Sequence, residues 1–252
     1  MSTERPTSPY LLCCVQRSGS WLLAHSLADT GIAGIPRDYF DEAEYNQNSG
    51  VWGTDGFSPY LAAVRLRATT PNGVFGTKMM WNDFGPFRDA LRREGPFSQL
   101  SDPRMLAAVF PGITYVWLRR EDKIRQGISW WRAVVTGQWA VRHGEQRRTA
   151  ELELGRILAL VRYAQDCERG WRDWFERHGL HPLEVTYEQL VRDRLTVVNS
   201  VLRHLGVPPL SSAELPSARY VQQADELTDH WVPLVREALD VHEGGARLRG
   251  LT

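Results

Sequence analysis

The chain has 252 residues, with 30 Lys+Arg balanced by 30 Asp+Glu, so it is long enough for one large domain and carries no net charge to draw it to nucleic acid or an anionic membrane surface. Apolar residues make up 42% and charged residues 24% of it, which excludes disorder throughout, and no run approaches the ~20 apolar residues that insertion across a bilayer needs. The opening Met1-Ser-Thr-Glu-Arg-Pro lacks a secretory hydrophobic region, and Cys13, Cys14 and Cys167 have neither disulfide nor metal spacing, so a cytoplasmic location is expected.

Tyr10-Leu-Leu-Cys-Cys-Val15 is a continuous apolar run closed by Gln16-Arg17-Ser18-Gly19-Ser20, which predicts a strand buried on both faces and hence a parallel sheet. Trp21, Leu22, Leu23 and Leu27 then carry helical spacing to Thr30-Gly31. Residues 31–72, rich in glycine, predict mostly loops with a short helix around Pro59 to Arg67. Further strands are expected at Gly73 to Met80, Ile113 to Leu118 and Pro182 to Tyr187. The third runs through Arg119-Arg120 into a helical pattern of Ile124, Ile128, Trp131 and Val135; one long helix is expected from Leu154 to Phe175 and another through Val197, Val201, Leu202 and Leu205. The alternation predicts a three-layer α/β domain with a mainly parallel central sheet flanked by helices, spanning 9–243, with 1–8 and the Gly-rich 244–252 as flexible ends.

In such sheets ligands sit beyond the carboxyl ends of the strands. Gln16 to Ser20 lies there, where backbone N–H groups at a helix start, Arg17 and the Ser18 and Ser20 hydroxyls suit an anion. A polar turn before a Ser-capped helix is the other reading. The full G-x-x-x-x-G-K-[ST] pattern is absent, because Gly19 stands alone and Trp21-Leu22 follow Ser20, so a metal-dependent ATPase or kinase is disfavoured. Arg119-Arg120, with Ser129 further along, is a second anion candidate at another strand end; solvated charges are its plainer reading. Two such sites would match a ligand with two separated phosphates. The seven histidines show no metal spacing, and no metal is expected.

Several ordered blocks now form a pattern: Gln16-Arg-Ser-Gly-Ser20, Gly31 to Phe40 around Pro36-Arg37-Asp38, Pro71 to Asn82 around Gly76-Thr77-Lys78, Ser129-Trp-Trp-Arg132-Ala, Gly170-Trp171-Arg-Asp-Trp174-Phe175, and Gln223-Ala-Asp225 ahead of Trp231. From about residue 9 to 242 the chain resembles the PAPS-dependent sulfotransferases, most closely their bacterial trehalose 2-sulfotransferase-like group. The resemblance implies a P-loop-like fold that binds 3′-phosphoadenosine 5′-phosphosulfate (PAPS) and moves its sulfuryl group to a hydroxyl of a small acceptor: a sugar, a glycolipid precursor or a natural product. A catalytically silent nucleotide-binding relative is the alternative. A homodimer is suggested by the trehalose relatives, and composition adds nothing to that.

By the same resemblance Arg17, Ser18, Gly19 and Ser20 meet the 5′-phosphosulfate, Gln16 and Trp21 flank them as cofactor-binding residues with the indole near the adenosine, Arg120 or Arg119 with Ser129 meets the 3′-phosphate, and Gln222 belongs to a late loop over the nucleotide. An acceptor hydroxyl is a poor nucleophile, so a base should remove its proton while positive charge meets the departing phosphate. Asp38 stands where the bacterial group places its basic carboxylate, and Lys78 is the matching strand lysine; Met80 occupies the histidine position of many eukaryotic relatives. Two departures are Trp21, where a hydroxyl residue is usual, and Ile35, where a further carboxylate is usual. Tyr39, Phe40, Trp81, Trp130, Trp131 and Trp139 are candidates for an aromatic acceptor wall.

Overall fold

The computed structural model describes residues 7–141, 145–217 and 225–249. Strands β1 (Ser8–Cys14), β2 (Val74–Met80), β3 (Thr114–Arg119) and β4 (Leu183–Thr186) form one sheet in the order β2-β1-β3-β4. Every pairing is parallel, with Tyr10 opposite Gly76 on one side and Thr114 on the other. The chain passes from β1 to β2 on one flank and then crosses to β3 on the other, which makes the carboxyl end of β1 the switch point where a crevice must open.

Helices cover both faces, as the sequence predicts. On one face Tyr10, Leu12, Cys14, Val116 and Leu118 pack against Leu23 and Leu27 of α1 (Ser20–Asp29) and Val198, Val201 and Leu202 of α9 (Arg194–His204). The alternate residues Leu11, Cys13, Phe75, Met79 and Trp117 face an aromatic core filled from α3 (Phe57–Ala68), α4 (Trp81–Glu94), α5 (Asp102–Val109) and α7 (Leu154–His178). The period of two along each strand sorts them into these two layers. A third cluster joins α7 to Ile128 of α6 (Lys123–Thr136) and to Trp231, Val232 and Val235 of α10 (Glu226–Arg249). A short α8 (Tyr187–Arg192) follows β4 directly.

Two stretches differ from expectation. The region 31–72 holds α2 (Glu42–Trp52) as well as α3. The Asp41 side chain caps α2 by accepting from the backbone N–H of Ala43 and Glu44, and Gly53 ends it in a left-handed turn, but it buries no residue and so leaves no apolar period to read. The stretch expected as a Gly-rich end is helical as far as Arg249. Among the described residues no helix is long and apolar enough to cross a membrane.

Several tryptophans are architectural. Trp171 is fully buried and donates to the Cys14 carbonyl at 3.0 Å, and Trp174 donates to Asp102 Oδ2 at 3.1 Å. Gly170 has to be glycine because a Cβ there would overlap the Trp81 ring; its absence lets α7 lie directly on the start of α4.

Candidate active site

The loop leaving β1 is built to present backbone N–H groups. Arg17 is the one non-glycine with a left-handed backbone among the described residues (φ 63°), and Gly19 follows at φ 85°. A Cβ at Gly19 would also collide with the Tyr187 ring, so this turn needs glycine both for conformation and for space. Ser18 Oγ and Gln16 Oε1 are buried without a hydrogen-bond partner. Buried polar atoms are rarely left so, and their position at a helix start marks a place for a polar ligand.

Elements from distant parts of the chain close on this loop. Arg17 Nε donates to Ser129 Oγ of α6 at 3.0 Å, and its guanidinium also donates to the Trp139 carbonyl. Arg120, just beyond β3, donates to the Arg17 carbonyl at 3.0 Å and lies 4.4 Å over the Tyr187 ring. Burial, then repulsion from Arg120, pushes the Arg17 pKa down to about 10, and burial lowers that of Arg120 as well. Two desolvated cations held side by side favour a multiply charged anion between them.

They open onto a cleft of ≈1040 Å³, counted to its solvent mouth, which Arg125, Arg132, Arg147 and Arg148 also line and to which no described carboxylate contributes. Arg132 is held by a bidentate bond to Asp225 (2.6 and 2.8 Å), which keeps that carboxyl down to about 2, and donates to Thr228 Oγ1 at 2.9 Å.

Arg119 does not share this cleft. It lies over Trp117 and pairs with Glu168 at 3.1 Å and Glu184 at 3.3 Å. Strand alternation turns it toward the α7 layer while its neighbour faces the loop after β1. Ser20 and Trp21 line the cleft, and the Gln16 backbone carbonyl accepts from Gln126 Nε2 at 2.8 Å. Gln222 lies outside the described residues.

At the end of β2 the second pair assembles. The Lys78 backbone N–H donates to the Arg37 carbonyl at 3.0 Å, pinning the loop before α2 across the strand, and Lys78 Nζ meets Asp38 Oδ2 at 2.6 Å. The lysine side chain is 2% exposed and the aspartate 20%. Asp38 Oδ1 is buried with no hydrogen-bond partner, so one carboxylate oxygen holds the lysine and the other is left unpaired. Lys78 Nζ lies 5.2 Å from the Trp21 ring centre; the indole thus joins the arginine-lined cleft to the Asp38–Lys78 pair.

The six aromatic candidates do not form one wall. Phe40 packs 4.3 Å from Phe87, and Tyr39 donates to the Ile35 carbonyl at 3.0 Å, both inside the aromatic core. Trp131 donates to the Glu151 carbonyl at 2.8 Å beside the α10 cluster, and Trp139 stands at the mouth of the arginine-lined cleft. Trp81 and Trp130 both approach α7, Trp81 at Trp171 (5.2 Å) and Trp130 at Tyr163 (5.6 Å). Sequence reasoning missed Arg125, Arg147, Arg148 and the Tyr187 platform; only Tyr187 had a local signal, the end of the fourth predicted strand.

Asp83, in the first turn of α4, was also missed. Gln16 Nε2 donates to Asn82 Oδ1 at 2.5 Å, and Asn82 Nδ2 donates to Asp83 Oδ1 at 2.8 Å. Burial, with help from the Asp41 and Asp38 charges and against the pull of Lys78, raises the Asp83 carboxyl to about 7. A carboxyl raised in the fold stabilises below its unfolded value of ~3.9 and loses that stability as pH climbs through about 7. Asp83→Asn should therefore raise Tm more at pH 8 than at pH 4.5; discounted for solvent screening to ~1 kcal/mol, the difference is about 2–4 °C. An equal effect at both pH values in thermal melts would show that Asp83 is not strained by its charge.

Among the described residues no group of three His, Cys, Asp or Glu side chains could hold a metal ion. A family model for Stf0 sulphotransferase matches residues 9–238. The trehalose 2-sulfotransferases of Mycobacterium tuberculosis (strain ATCC 35801 / TMC 107 / Erdman) and Mycolicibacterium smegmatis (strain ATCC 700084 / mc(2)155) are each 31% identical over 266 aligned residues, covering 92% and 93% of this chain and 96% of each relative. Among solved structures, a sulfotransferase from Alicyclobacillus acidocaldarius shares the fold at a TM-score of 0.51 and 14% identity, over 98% of this chain and 96% of that one.

Proposed function

The chain belongs to the Stf0 sulphotransferase family and is a sulfotransferase; from that premise we propose that it takes its sulfuryl group from PAPS and delivers it to a sugar hydroxyl, with the reaction centred on Asp38 and Lys78. The observation that carries this reading is the convergence, along the carboxyl ends of β1, β2 and β3, of a cation pair and a carboxylate–lysine pair joined by Trp21. The residues suit the donor. Ser18 Oγ and Arg120 Nε are buried without partners, and the glycine turn offers N–H groups with no side chain in the way.

The donor supplies a sulfuryl group on a good phosphate leaving group. Gln16 to Ser20 hold the end that reacts, while Arg120 and Ser129 hold the 3′-phosphate. Asp38 Oδ1 accepts the proton of the acceptor hydroxyl as it becomes a nucleophile. Lys78, fixed through Oδ2 of the same carboxylate, places positive charge where the leaving phosphate gathers negative charge. The trehalose relatives make trehalose the first acceptor to try.

The test is to incubate the protein with PAPS and either trehalose or a carbohydrate extract and to search by mass spectrometry for a gain of one sulfate. A sulfated sugar is expected. Binding of adenosine 3′,5′-bisphosphate with no transfer to any acceptor would favour a silent nucleotide-binding protein instead.

A further inference from the structure

The left-handed turn at Arg17 (φ 63°) is held from outside the cleft, and such a backbone persists only where its surroundings fix it. Its φ and ψ are the rotations between two peptide planes, one carrying the Gln16 carbonyl and the other the carbonyl of Arg17 itself. Both carbonyls are anchored. Gln126 of α6, fully buried, donates from Nε2 to the Gln16 carbonyl at 2.8 Å, and the Arg120 guanidinium donates to the Arg17 carbonyl at 3.0 Å.

One ammonium sits behind both anchors. Lys123, the first residue of α6, donates from Nζ to the Arg120 carbonyl, to Gln126 Oε1 at 3.3 Å and to Glu168 Oε2, which uses all three of its N–H groups. With its oxygen taken by the lysine, the Gln126 amide turns its nitrogen to Gln16; the flipped amide would set its N–H groups against an ammonium. Glu168 holds the lysine in place from midway along α7, where it is 7% exposed, and its other oxygen accepts from Arg119 at 3.1 Å with Arg172 at 3.8 Å beyond. Burial pulls the Lys123 pKa down, and the Glu168 carboxylate works against that pull. None of Glu168, Lys123 and Gln126 lines the arginine-lined cleft.

We propose that Glu168 is a positioning residue for sulfuryl transfer: through Lys123 it fixes Gln126 and the Arg120 backbone, and through them it keeps the turn at Arg17 in the shape that grips the donor's charged groups. This rests on the donor reading above. Without the carboxylate, Lys123 is drawn toward water, the Gln16 and Arg17 carbonyls lose their anchors, and the turn relaxes to ordinary backbone angles. The donor must then restore the turn as it binds, so its apparent affinity falls in proportion to the fraction of chains that hold the competent shape.

Calorimetry with adenosine 3′,5′-bisphosphate tests it, because the titration gives affinity and stoichiometry separately. Glu168→Gln should raise Kd about tenfold with the stoichiometry unchanged, and in steady-state transfer to trehalose the PAPS KM should rise by a similar factor with kcat nearly kept. A carboxylate that only supports packing gives the other split: fewer competent molecules, hence lower stoichiometry and lower kcat, at the wild-type Kd and KM. Glu184→Gln, which removes the other acid on Arg119 and leaves the Lys123 contacts in place, should stay within about twofold of the wild-type Kd. The double variant Glu168→Gln with Lys123→Met should lose no more affinity than Lys123→Met alone, since both act along one path. Should Glu168→Gln not fold, Lys123→Met carries the same expectation for Kd and stoichiometry. A folded Glu168→Gln with the wild-type Kd overturns the positioning role and leaves the donor reading standing. A wild type that releases no heat with the nucleotide overturns the donor reading and the positioning role with it.

Discussion

Replacing Asp38 by Asn is expected to slow sulfuryl transfer by about 10²–10⁴-fold, the range for loss of a positioned general base, while adenosine 3′,5′-bisphosphate still binds. Asparagine keeps the shape but cannot take a proton through the oxygen that is now unpartnered. The substitution also removes the counter-charge of a lysine whose side chain is 2% exposed, so stability should fall too. A second variant separates the two effects: Lys78→Met combined with Asp38→Asn relieves the unpaired charge, so Tm should recover while turnover does not. Steady-state transfer, thermal melts and calorimetry on the three proteins decide it. Full turnover in Asp38→Asn would take that carboxylate out of the reaction.

Arg120→Met is expected to weaken adenosine 3′,5′-bisphosphate by about 2–5 kcal/mol, the usual loss when one member of a buried, hydrogen-bonded charge pair is truncated, which is about 30-fold or more. Arg119→Met should change that affinity less than about threefold, because its ion pairs to Glu168 and Glu184 lie on the α7 side of the sheet. Isothermal calorimetry on both variants reads the contrast directly. The opposite pattern would mean that the nucleotide lies across the other face of β3, and the assignment of the cleft would fail.

The adjoining pair also shows what was legible before the fold was known. The strands were: β1, β2 and β3 are buried on both faces, and the short β4, where only Val185 is buried, is marked by its β-branched residues. Arg120 and the loop from Gln16 to Ser20 were, because they stand where such runs end. The choice between Arg119 and Arg120 was also available in principle. Tyr115 and Trp117 face the aromatic layer, Val116 and Leu118 the opposite one, and continuing that alternation sends Arg119 after Trp117. Other parts had no local signal. The α2 helix buries nothing, α4 carries Gly85-Pro86 inside its second turn, and α10 contains Pro233; each lacks the period or the composition that marks a helix.

Asp38 was found through resemblance alone, since an acid beside Arg37 in a glycine-rich stretch has no pattern of its own. Asp83, Tyr187 and the arginines beyond residue 120 gain meaning only from what the fold brings near them. The six aromatic candidates lie apart for a related reason. Tyr39 and Phe40 follow Asp38 in sequence, but their rings turn inward to fill the aromatic layer, and packing claims most large aromatic side chains.

The arginine-lined cleft takes residues from Arg17 at one end of the chain to Thr228 near the other. A chain lacking the last helix would therefore lose one wall of it. A nucleotide seated there would fasten the earliest and latest of those segments to one another and so add RT ln(1 + [L]/Kd) to the stability of the folded chain.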